Sequence, residues 1–442
     1  MRAGEGDPYA GNPPFKLPAS IPCVRDGRFG RRATRADWND WAPRAGIAYA
    51  MNDKTVIRAS GGLYYVRDIG NAVFDVVRNA PFTIRRNEAA NTLIPNNSFQ
   101  RPFSITGAPT FILANTWNEP TSYISQWTFN IQREITKDVS YEIAYLGSAG
   151  NKLRRLASYN NPTPGPGDIQ GRRPFPLLGN VQVMYAPSHS TYHALQMKLT
   201  HRFNNGFTLL SSYSWAKSID NGSGIRTTDG DTLTATDQNN LRRERGLSAF
   251  DFRHRWTSSF LYEMPFGKGK RFGGAMGKTA NLLAGGWQIG GIVTLQGGFP
   301  ATAYCGGGVI QNGGSGCYPD ATGISPALGR GNQDPTRWFN TAAFVDRIGM
   351  NLPAQLPTEY RFGNSNRNTI TGHGIINIDA SLNKTFAITE QHKLEFRFEV
   401  FNAPNHPNWG QPGTTLRTPT FGVIGSTRTD PRDIQLALKY TF

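Results

Sequence analysis

Apolar and polar residues alternate with period two along much of this chain, and this period predicts β-strands rather than helices. The alternation is clearest at residues 433–442. One face of that stretch would carry Ile434, Leu436, Leu438, Tyr440 and Phe442, and the other Gln435, Ala437, Lys439 and Thr441. About ten residues are also enough for a tilted strand to cross a bilayer. Taken alone, the stretch fits a membrane-crossing strand and the edge strand of a soluble sandwich equally well.

The same pattern predicts further strands, most of them joined in pairs by tight turns. The turns are rich in Asn, Asp, Gly and Lys, as in Asn204, Asn205 and Gly206. The strands expected before the last one are 44–51, 55–66, 123–135, 139–145, 195–203, 207–215, 251–263, 287–295, 376–386 and 393–400. Residues 181–186 also alternate, but we place them in a loop because another crossing would disturb the order of short and long connections.

Short and long connections alternate, which is the asymmetry of an outer-membrane barrel with tight periplasmic turns and long external loops. The predicted external loops are 67–120, 148–190, 220–249, 300–373 and 404–432. We therefore predict an all-β fold, a transmembrane antiparallel β-barrel of which this chain supplies about 11 strands. An odd number of strands cannot close with antiparallel pairs alone, so we expect half of a barrel of about 22 strands.

Composition agrees with a membrane barrel, in which only every second strand residue must be apolar. Hydrophobic residues make up 38% of the chain and aromatic residues 12%. The sequence contains no apolar run of about 18 residues, so we predict no transmembrane helix. We expect residues 1–42 to be an irregular segment and residues 43–442 to be the partial barrel.

The net charge of +16 would suit a nucleic-acid partner, but the arginines are scattered and only short doublets occur. We predict no nucleic-acid binding, because no basic run or basic helix is present. The lumen of a barrel and anionic lipid head groups account for the charge equally well.

Charged residues on the polar faces of the predicted strands are the candidates for contact with the lumen, a plug or a solute. They are Asp251, Arg253, Arg255, Glu263, Lys393, Glu395, Arg397 and Glu399. We expect them mainly to form ion pairs across neighbouring strands. Glu395 and Glu399 would lie some 13 Å apart along a strand, too far for a glycosidase pair.

The sequence predicts neither an enzyme nor a cofactor or metal site. The seven histidines are dispersed, and the three cysteines lack CxxC spacing. The glycine–lysine stretch at 267–279 fails as a phosphate loop, because Phe272 stands where that motif needs glycine.

Large aromatic side chains on the apolar faces are predicted to form girdles at the two membrane surfaces. The candidates are Trp127, Trp215, Trp256, Trp287, Tyr440 and Phe442. A role as ligand platforms is the alternative for the tryptophans.

Cys305 and Cys317 lie in one Gly-rich loop and are candidates for a disulfide in an oxidising compartment, with Cys23 left over. The first residues contain no apolar segment typical of a signal peptide. If the chain is a membrane protein, we expect it to be the C-terminal part of a longer one.

Several stretches resemble, in order, the barrel of Oar-like TonB-dependent outer-membrane receptors. The most specific is 396–410, Phe-Arg-Phe-Glu-Val-Phe-Asn-Ala-Pro-Asn-His-Pro-Asn-Trp-Gly. The others are 42–49, 55–62, 126–127, 192–196, 214–220, 250–255, 265–269, 285–288 and 430–432. The resemblance covers residues 42–442.

This resemblance implies a 22-stranded barrel in the outer membrane of a Gram-negative cell. It also implies an N-terminal plug, energy supplied by the TonB system and uptake of an extracellular ligand whose identity the sequence does not reveal. The plug, the TonB-contacting segment and about half of the strands are not found in this chain. The alternatives are a smaller porin-like diffusion channel and a surface structural or adhesion protein.

Overall fold

The computed structural model describes residues 35–66, 111–176, 179–224, 234–306, 316–329, 331–345, 360–389 and 391–442. Most of the predicted irregular segment 1–42, Cys23 included, lies outside the described residues. Parts of the predicted loops 67–120, 148–190, 220–249 and 300–373 also lie outside them.

The described residues are mostly β-structure. In chain order the strands are β1 (Arg44–Asn52), β2 (Thr55–Tyr65), β3 (Phe111–Asn115), β4 (Tyr123–Thr136), β5 (Val139–Ser158), β6 (Asn180–Asn204), β7 (Phe207–Asp220), β8 (Gly246–Leu247), β9 (His254–Glu263), β10 (Trp287–Gln296), β11 (Pro300–Ala301), β12 (Asp320–Ala321), β13 (Phe344–Val345), β14 (Ile370–Thr371), β15 (Ile375–Ala387), β16 (Lys393–Phe401) and β17 (Asp433–Thr441). Two short α-helices, α1 (Ile169–Arg172) and α2 (Lys278–Ala284), and two 3₁₀ turns, Leu241–Glu244 and Thr341–Ala343, lie between them. None of the described helices has the length and apolar character needed to span a membrane.

Eleven of these strands form one antiparallel path in the order β1-β2-β4-β5-β6-β7-β9-β10-β15-β16-β17. This confirms the predicted architecture of about 11 antiparallel strands. β3 pairs in parallel with β6, and β8 pairs antiparallel with the last two residues of β7. Along this path, each strand pairs with the next path strand in the sequence, so the sheet is a meander.

The register places apolar residues opposite apolar residues across neighbouring strands. Between β16 and β17, Phe396 faces Leu438 and Phe398 faces Leu436, while Glu395 faces Lys439 on the other side. Because side chains alternate across a strand, a register shifted by one residue would mix the two faces. The sheet therefore has one apolar face and one polar face along its whole width.

The connections lie at two different ends of the sheet. Tight turns join β1 to β2, β4 to β5, β6 to β7 and β15 to β16, and the C-terminus lies at the same end. We call this the turn end. The connections at the opposite end, the loop end, include the stretches between β7 and β9, β10 and β15, and β16 and β17.

The structure corrects the predicted loop 148–190. β5 continues to Ser158 and β6 begins at Asn180, so residues 181–186 belong to a long strand instead of a loop. The 25 residues of β6 would extend over about 80 Å, far more than a bilayer requires. β5 and β6 therefore project beyond the other strands at the loop end. Their register shifts between Gly150 and Arg155, close to Pro187, which has no N–H to donate.

The two outermost strands of the sheet are β1 and β17. Each has one hydrogen-bonded neighbour among the described residues, and all nine residues of each strand are exposed. Both strands run from the loop end to the turn end, because each starts opposite the tight turns. Among the described residues, the sheet thus has two open edges, and the two edge strands run in the same direction.

Trp127 packs against the sheet between two glycines on the apolar face. It lies opposite Gly61 of β2 and Gly147 of β5. A Cβ atom on Gly147 would lie 2.3 Å from the indole, whereas one on Gly61 would meet only ordinary contacts at 3.5 Å or more. The indole therefore covers Gly147 and leaves Gly61 open.

We expect Gly147→Ala to displace Trp127 and to lower the unfolding free energy by about 1–3 kcal/mol, the usual cost of overpacking. Gly61→Ala is the matched control on the other neighbouring strand and should change it by less than about 0.5 kcal/mol. Urea unfolding of the full-length protein, followed by tryptophan fluorescence, measures both. Equal effects of the two substitutions would contradict this packing.

Candidate functional site

The apolar face carries aromatic side chains near both of its ends. Trp127, Trp215 and Trp256 lie toward the loop end, and Trp287, Tyr440 and Phe442 lie at the turn end. Leu295, which is directly opposite Trp256, is separated from Trp287 by eight residues of β10, or about 26 Å along the strand. A strand tilt of 35–45° reduces this to about 20 Å, close to the height of the apolar band of an outer-membrane barrel.

Tyrosine and histidine side chains pair on the same face, a feature that sequence reasoning missed. The tyrosine hydroxyl and the histidine Nδ1 are 2.7 Å apart for Tyr145 and His193, and 2.8 Å apart for Tyr213 and His254. At the turn end, Tyr440 and His392 are 2.7 Å apart. These pairs satisfy polar groups on an otherwise apolar surface. The sequence does contain a signal for these pairs: under the period of two, each histidine falls on the same strand face as its apolar neighbours.

The polar face holds six of the eight predicted charges. Arg255 and Glu263 lie in β9, and Lys393, Glu395, Arg397 and Glu399 lie in β16. The ion pairs observed for these side chains are local. Arg397 Nε donates to Glu395 Oε1 at 2.7 Å within β16, and Lys270 Nζ contacts Glu263 Oε2 at 3.0 Å. These two pairs run along a strand and to a turn, and Glu395 also lies directly opposite Lys439 of β17.

The other two predicted charges lie outside the strands. β9 begins at His254, so Asp251 and Arg253 precede it at the loop end. Asp251 is buried, and its Oδ1 accepts the backbone N–H of Ser218 at 2.6 Å. Burial raises the pKa of this carboxyl above its usual value, and the Ser218 N–H partly offsets the effect. Asp251 thus connects the loop to β7 through this hydrogen bond.

The described parts of the connections after β7, β10 and β16 fold together at the loop end, and we call them the loop cap. The loop cap has a small apolar core that sequence reasoning did not predict. The core residues are Ala303, Trp338, Phe339, Ala343, Phe344, Ile370, Leu416 and Ile424. No alternation marks them in the sequence, because they lie in irregular segments and short two-residue strands.

Buried charges fix the loop cap to the ends of β5 and β7. Arg155 and Glu244, each at most 1% exposed, are 3.4 Å apart, and Arg155 also donates to the carbonyl of Asn221. The other Glu244 oxygen accepts from the N–H and hydroxyl of Thr236, both at 2.8 Å. A buried ion pair needs such additional hydrogen bonds to offset the loss of hydration.

Two further side chains complete this network. The hydroxyl of Tyr318 donates to Glu244 Oε2 at 2.7 Å. Arg367, fully buried, pairs with Asp220 at the end of β7. Desolvation, reinforced by the Glu244 carboxylate, raises the pKa of the Tyr318 phenol well above 10.0. The network joins the connections after β7 and β10 to the ends of β5 and β7.

Cys305 and Cys317 are joined by a disulfide in the loop cap, with their Cα atoms 5.3 Å apart. The bond closes the segment that leads from β11 toward Tyr318. Cys317 and Tyr318 are adjacent in sequence, so the disulfide and the hydrogen bond to Glu244 stabilise the same segment of the loop cap.

The motif at 396–410 has a structural role. Asn402 and Asn405 have positive φ angles of 48° and 55°, which asparagine tolerates better than most residues. Asn408 is fully buried; its side chain accepts the N–H of Ile376 at 2.7 Å and donates to the Ile376 carbonyl at 3.0 Å. The motif thus forms the turn after β16 and satisfies the backbone at the start of β15.

The loop end also contains a cleft of about 150 Å³. It is lined by residues 158, 159, 161–164 and 235–239 and by Phe362. Among the described residues, no group of three or more His, Cys, Asp or Glu side chains is arranged to hold a metal ion.

A sequence model of the outer membrane beta barrel domain matches residues 5–435. The chain belongs to this family. Its location is therefore the outer membrane of a Gram-negative cell. Because short turns are periplasmic and long loops external in such barrels, we assign the turn end to the periplasm and the loop end to the exterior. By the same rule we assign the apolar face to lipid and the polar face to the interior of the barrel wall.

Comparison with solved structures finds outer-membrane proteins of low sequence identity. The outer membrane transporter YddB from Escherichia coli is 12% identical with a TM-score of 0.48, covering 88% of this chain and 39% of that protein. FpvA from P. aeruginosa, bound to heterologous pyoverdines, is 10% identical with a TM-score of 0.44, covering 91% and 33%.

The siderophore receptor PiuA from Acinetobacter baumannii is 10% identical with a TM-score of 0.43, covering 90% of this chain and 35% of that protein. This chain thus spans about two fifths or less of the length of these proteins. No curated protein matches the sequence.

We expect Glu244→Gln to leave Arg155 buried without its counter-charge and to lower the free energy of opening of the loop cap by about 3 kcal/mol. Hydrogen exchange of loop-cap amides in the full-length protein measures this opening. The matched control is Glu263→Gln, which removes a partly exposed ion pair at the other end and should change loop-cap exchange by much less than 1 kcal/mol. Equal protection in both variants would contradict the role of Glu244.

The loop cap should also loosen in alkali. Because the folded-state pKa of Tyr318 lies above the value of 10.0 for a free phenol, its contribution is complete below pH 10 and is lost as the pH rises through the folded-state value. We expect loop-cap cleavage by an alkali-stable protease to accelerate above pH 10. In Tyr318→Phe the loop cap should be weaker by about 1 kcal/mol at neutral pH, from the lost hydrogen bond, but less sensitive to alkali. An unchanged pH dependence in that variant would refute the assignment.

Proposed function

We propose that this chain forms the C-terminal part of the barrel of a TonB-dependent receptor of the Oar-like type, which takes up a scarce ligand from outside the cell. The sequence resemblance over residues 42–442 carries the proposal, since its motifs occur in the family's order. The 396–410 motif supports it, because these residues form the turn that joins β16 to the loop cap.

Closure of the barrel supports a larger assembly. Strand edges cannot remain unpaired in lipid, since each unsatisfied backbone group there costs several kcal/mol. β1 and β17 run in the same direction, so antiparallel closure needs an odd number of additional strands. A second copy of the same sheet supplies eleven strands, of which the first and the last also run from the loop end to the turn end. To pair antiparallel with β17 and β1, these strands would have to run the other way, so the second copy would have to be inverted in the membrane. We propose that the missing strands belong to the same receptor, together with the plug.

The loop cap is the proposed ligand-contacting part. Its apolar core, buried ion pairs and disulfide give the external loops a defined shape. The cleft at 158–164 and 235–239 is open at this end. A preformed cleft lowers the entropic cost of binding.

The test compares cells lacking the gene with cells complemented by the full-length gene, in media each limited for one nutrient class: iron, a vitamin, oligosaccharides or peptides. We expect a growth defect in one medium that complementation corrects only while TonB is present. A complementing gene with Glu244→Leu should fail to correct it, and one with Gly61→Ala should succeed.

Two other outcomes would favour the alternatives. A porin would raise passive entry of the small chromogenic β-lactam nitrocefin in complemented cells, with or without TonB. An adhesion protein would leave growth unchanged in every medium and would lose surface attachment in the Glu244→Leu variant. Either result would overturn the receptor proposal.

A further inference from the structure

The connection between β9 and β10 differs from the other turns at the periplasmic end. It contains the glycine–lysine stretch that fails as a phosphate loop, followed by α2. Residues 264–286 include four cations, Lys268, Lys270, Arg271 and Lys278, and no aspartate or glutamate. All four cationic residues are exposed.

The C-terminus of α2 lies against the lipid-facing side of the sheet. Trp287 and Lys384 are opposite each other on that face, in β10 and β15. Trp287 Nε1 donates to the carbonyl of Leu283 at 2.9 Å. Lys384 Nζ donates to the carbonyls of Leu283 at 2.7 Å and Gly285 at 2.9 Å. These three hydrogen bonds hold the C-terminus of α2 against the outer face of the sheet, level with Trp287 at the turn end.

Lys384 is unusual on this face, because its neighbours in the same row are apolar. It is 2% exposed, and its Nζ lies 4.5 Å from the ring centroid of Trp287 and 5.0 Å from that of Phe386. Carbonyl groups at a helix C-terminus carry partial negative charge and stabilise a cation there. Lys384 therefore anchors the C-terminus of α2 at the edge of the apolar band.

Apolar side chains of the connection are exposed beside this anchor. Leu282 is 47% exposed and Leu283 is 70% exposed. Phe266 and Phe272, whose ring centroids are 5.7 Å apart, are 44% and 48% exposed. These groups continue the lipid-facing surface past the end of the strands.

The cations are held to the same unit. The N–H of Lys268 donates to Asn281 Oδ1 of α2 at 2.6 Å, and a Cβ on Gly267, with a φ of +120°, would lie 2.8 Å from that oxygen. Lys278 is the first residue of α2, and Lys270 pairs with Glu263. Basic and apolar side chains on one compact element are typical of segments that lie in a membrane interface.

We propose that residues 264–286 are a binding surface for anionic phospholipid head groups in the periplasmic leaflet, with Leu282, Leu283, Phe266 and Phe272 in the acyl region and Lys268, Arg271 and Lys278 on the phosphates. Charge complementarity and continuity with the lipid-facing surface identify the occupant as lipid. Its role is to fix the height of the barrel wall at the periplasmic surface. This surface does not depend on which ligand the external loops meet.

The test uses the full-length protein purified in a neutral detergent and titrated with dioleoylphosphatidylglycerol or dioleoylphosphatidylcholine, with bound lipid counted by native mass spectrometry. We expect preferential retention of phosphatidylglycerol. The triple substitution Lys268→Gln, Arg271→Gln and Lys278→Gln should weaken its binding at least tenfold, since each cation near an anionic surface contributes roughly a fivefold factor. It leaves the Lys270–Glu263 pair intact.

The matched control is Arg242→Gln, Arg245→Gln and Arg432→Gln, which removes three exposed cations at the external end. It should retain phosphatidylglycerol as the parent does. A second variant, Leu282→Asn with Leu283→Asn, should also weaken retention while leaving the charge unchanged.

Three results would overturn the proposal: equal retention of the two lipids, equal losses in the two triple variants, or displacement of the lipid by millimolar inorganic phosphate. The last would show a site for free phosphate. Nutrient uptake is not read in this experiment, so its outcome is distinct from that of the receptor proposal.

Discussion

Backbone hydrogen bonding in lipid is the constraint on which the rest of the structure depends. A strand that crosses a bilayer must find partners for every N–H and C=O within the protein, because no water is available to them. Antiparallel pairing between successive strands meets this demand along the whole path from β1 to β17. Once pairing and register are set, the period of two assigns each side chain either to lipid or to the interior. Among the described residues, the edges at β1 and β17 are where this demand is still unmet.

The two ends of the wall are built by different means. At the periplasmic end the chain turns tightly, and the longer connection 264–286 is fastened to the outside by Trp287 and Lys384. At the external end, water allows strands of very different lengths, and β5 and β6 extend well beyond their neighbours. Loops there are free to fold on one another. The result is a loop cap with its own apolar core and buried ion pairs.

The buried ion pairs have a different physical status from the charges on the polar face. Arg155 and Glu244 are almost completely removed from water, so each depends on the other and on the surrounding hydrogen bonds. Arg397 and Glu395 are 40% and 32% exposed, and a pair of that kind contributes little. The charges with structural consequences are therefore the buried ones, such as those that join the strand ends to the loop cap, and the alternation in the sequence does not indicate their pairing. The motif at 396–410 belongs to the same group, because Asn408 acts on the backbone of a strand about thirty residues earlier.

The sequence by itself determined that there are eleven path strands, their order and, for residues within the predicted strand centres, the face on which a side chain lies. These depend on local alternation and on tight turns between neighbours, which a single chain displays directly. Trp256 and Tyr440 could be assigned to the apolar face for this reason. Only the tertiary structure decided that Asp251 is buried against Ser218, that residues 181–186 extend β6 and that Glu244 meets Arg155 and Tyr318. Such contacts join residues far apart in irregular segments, where no period constrains the chain, so they are fixed only when the loops pack together.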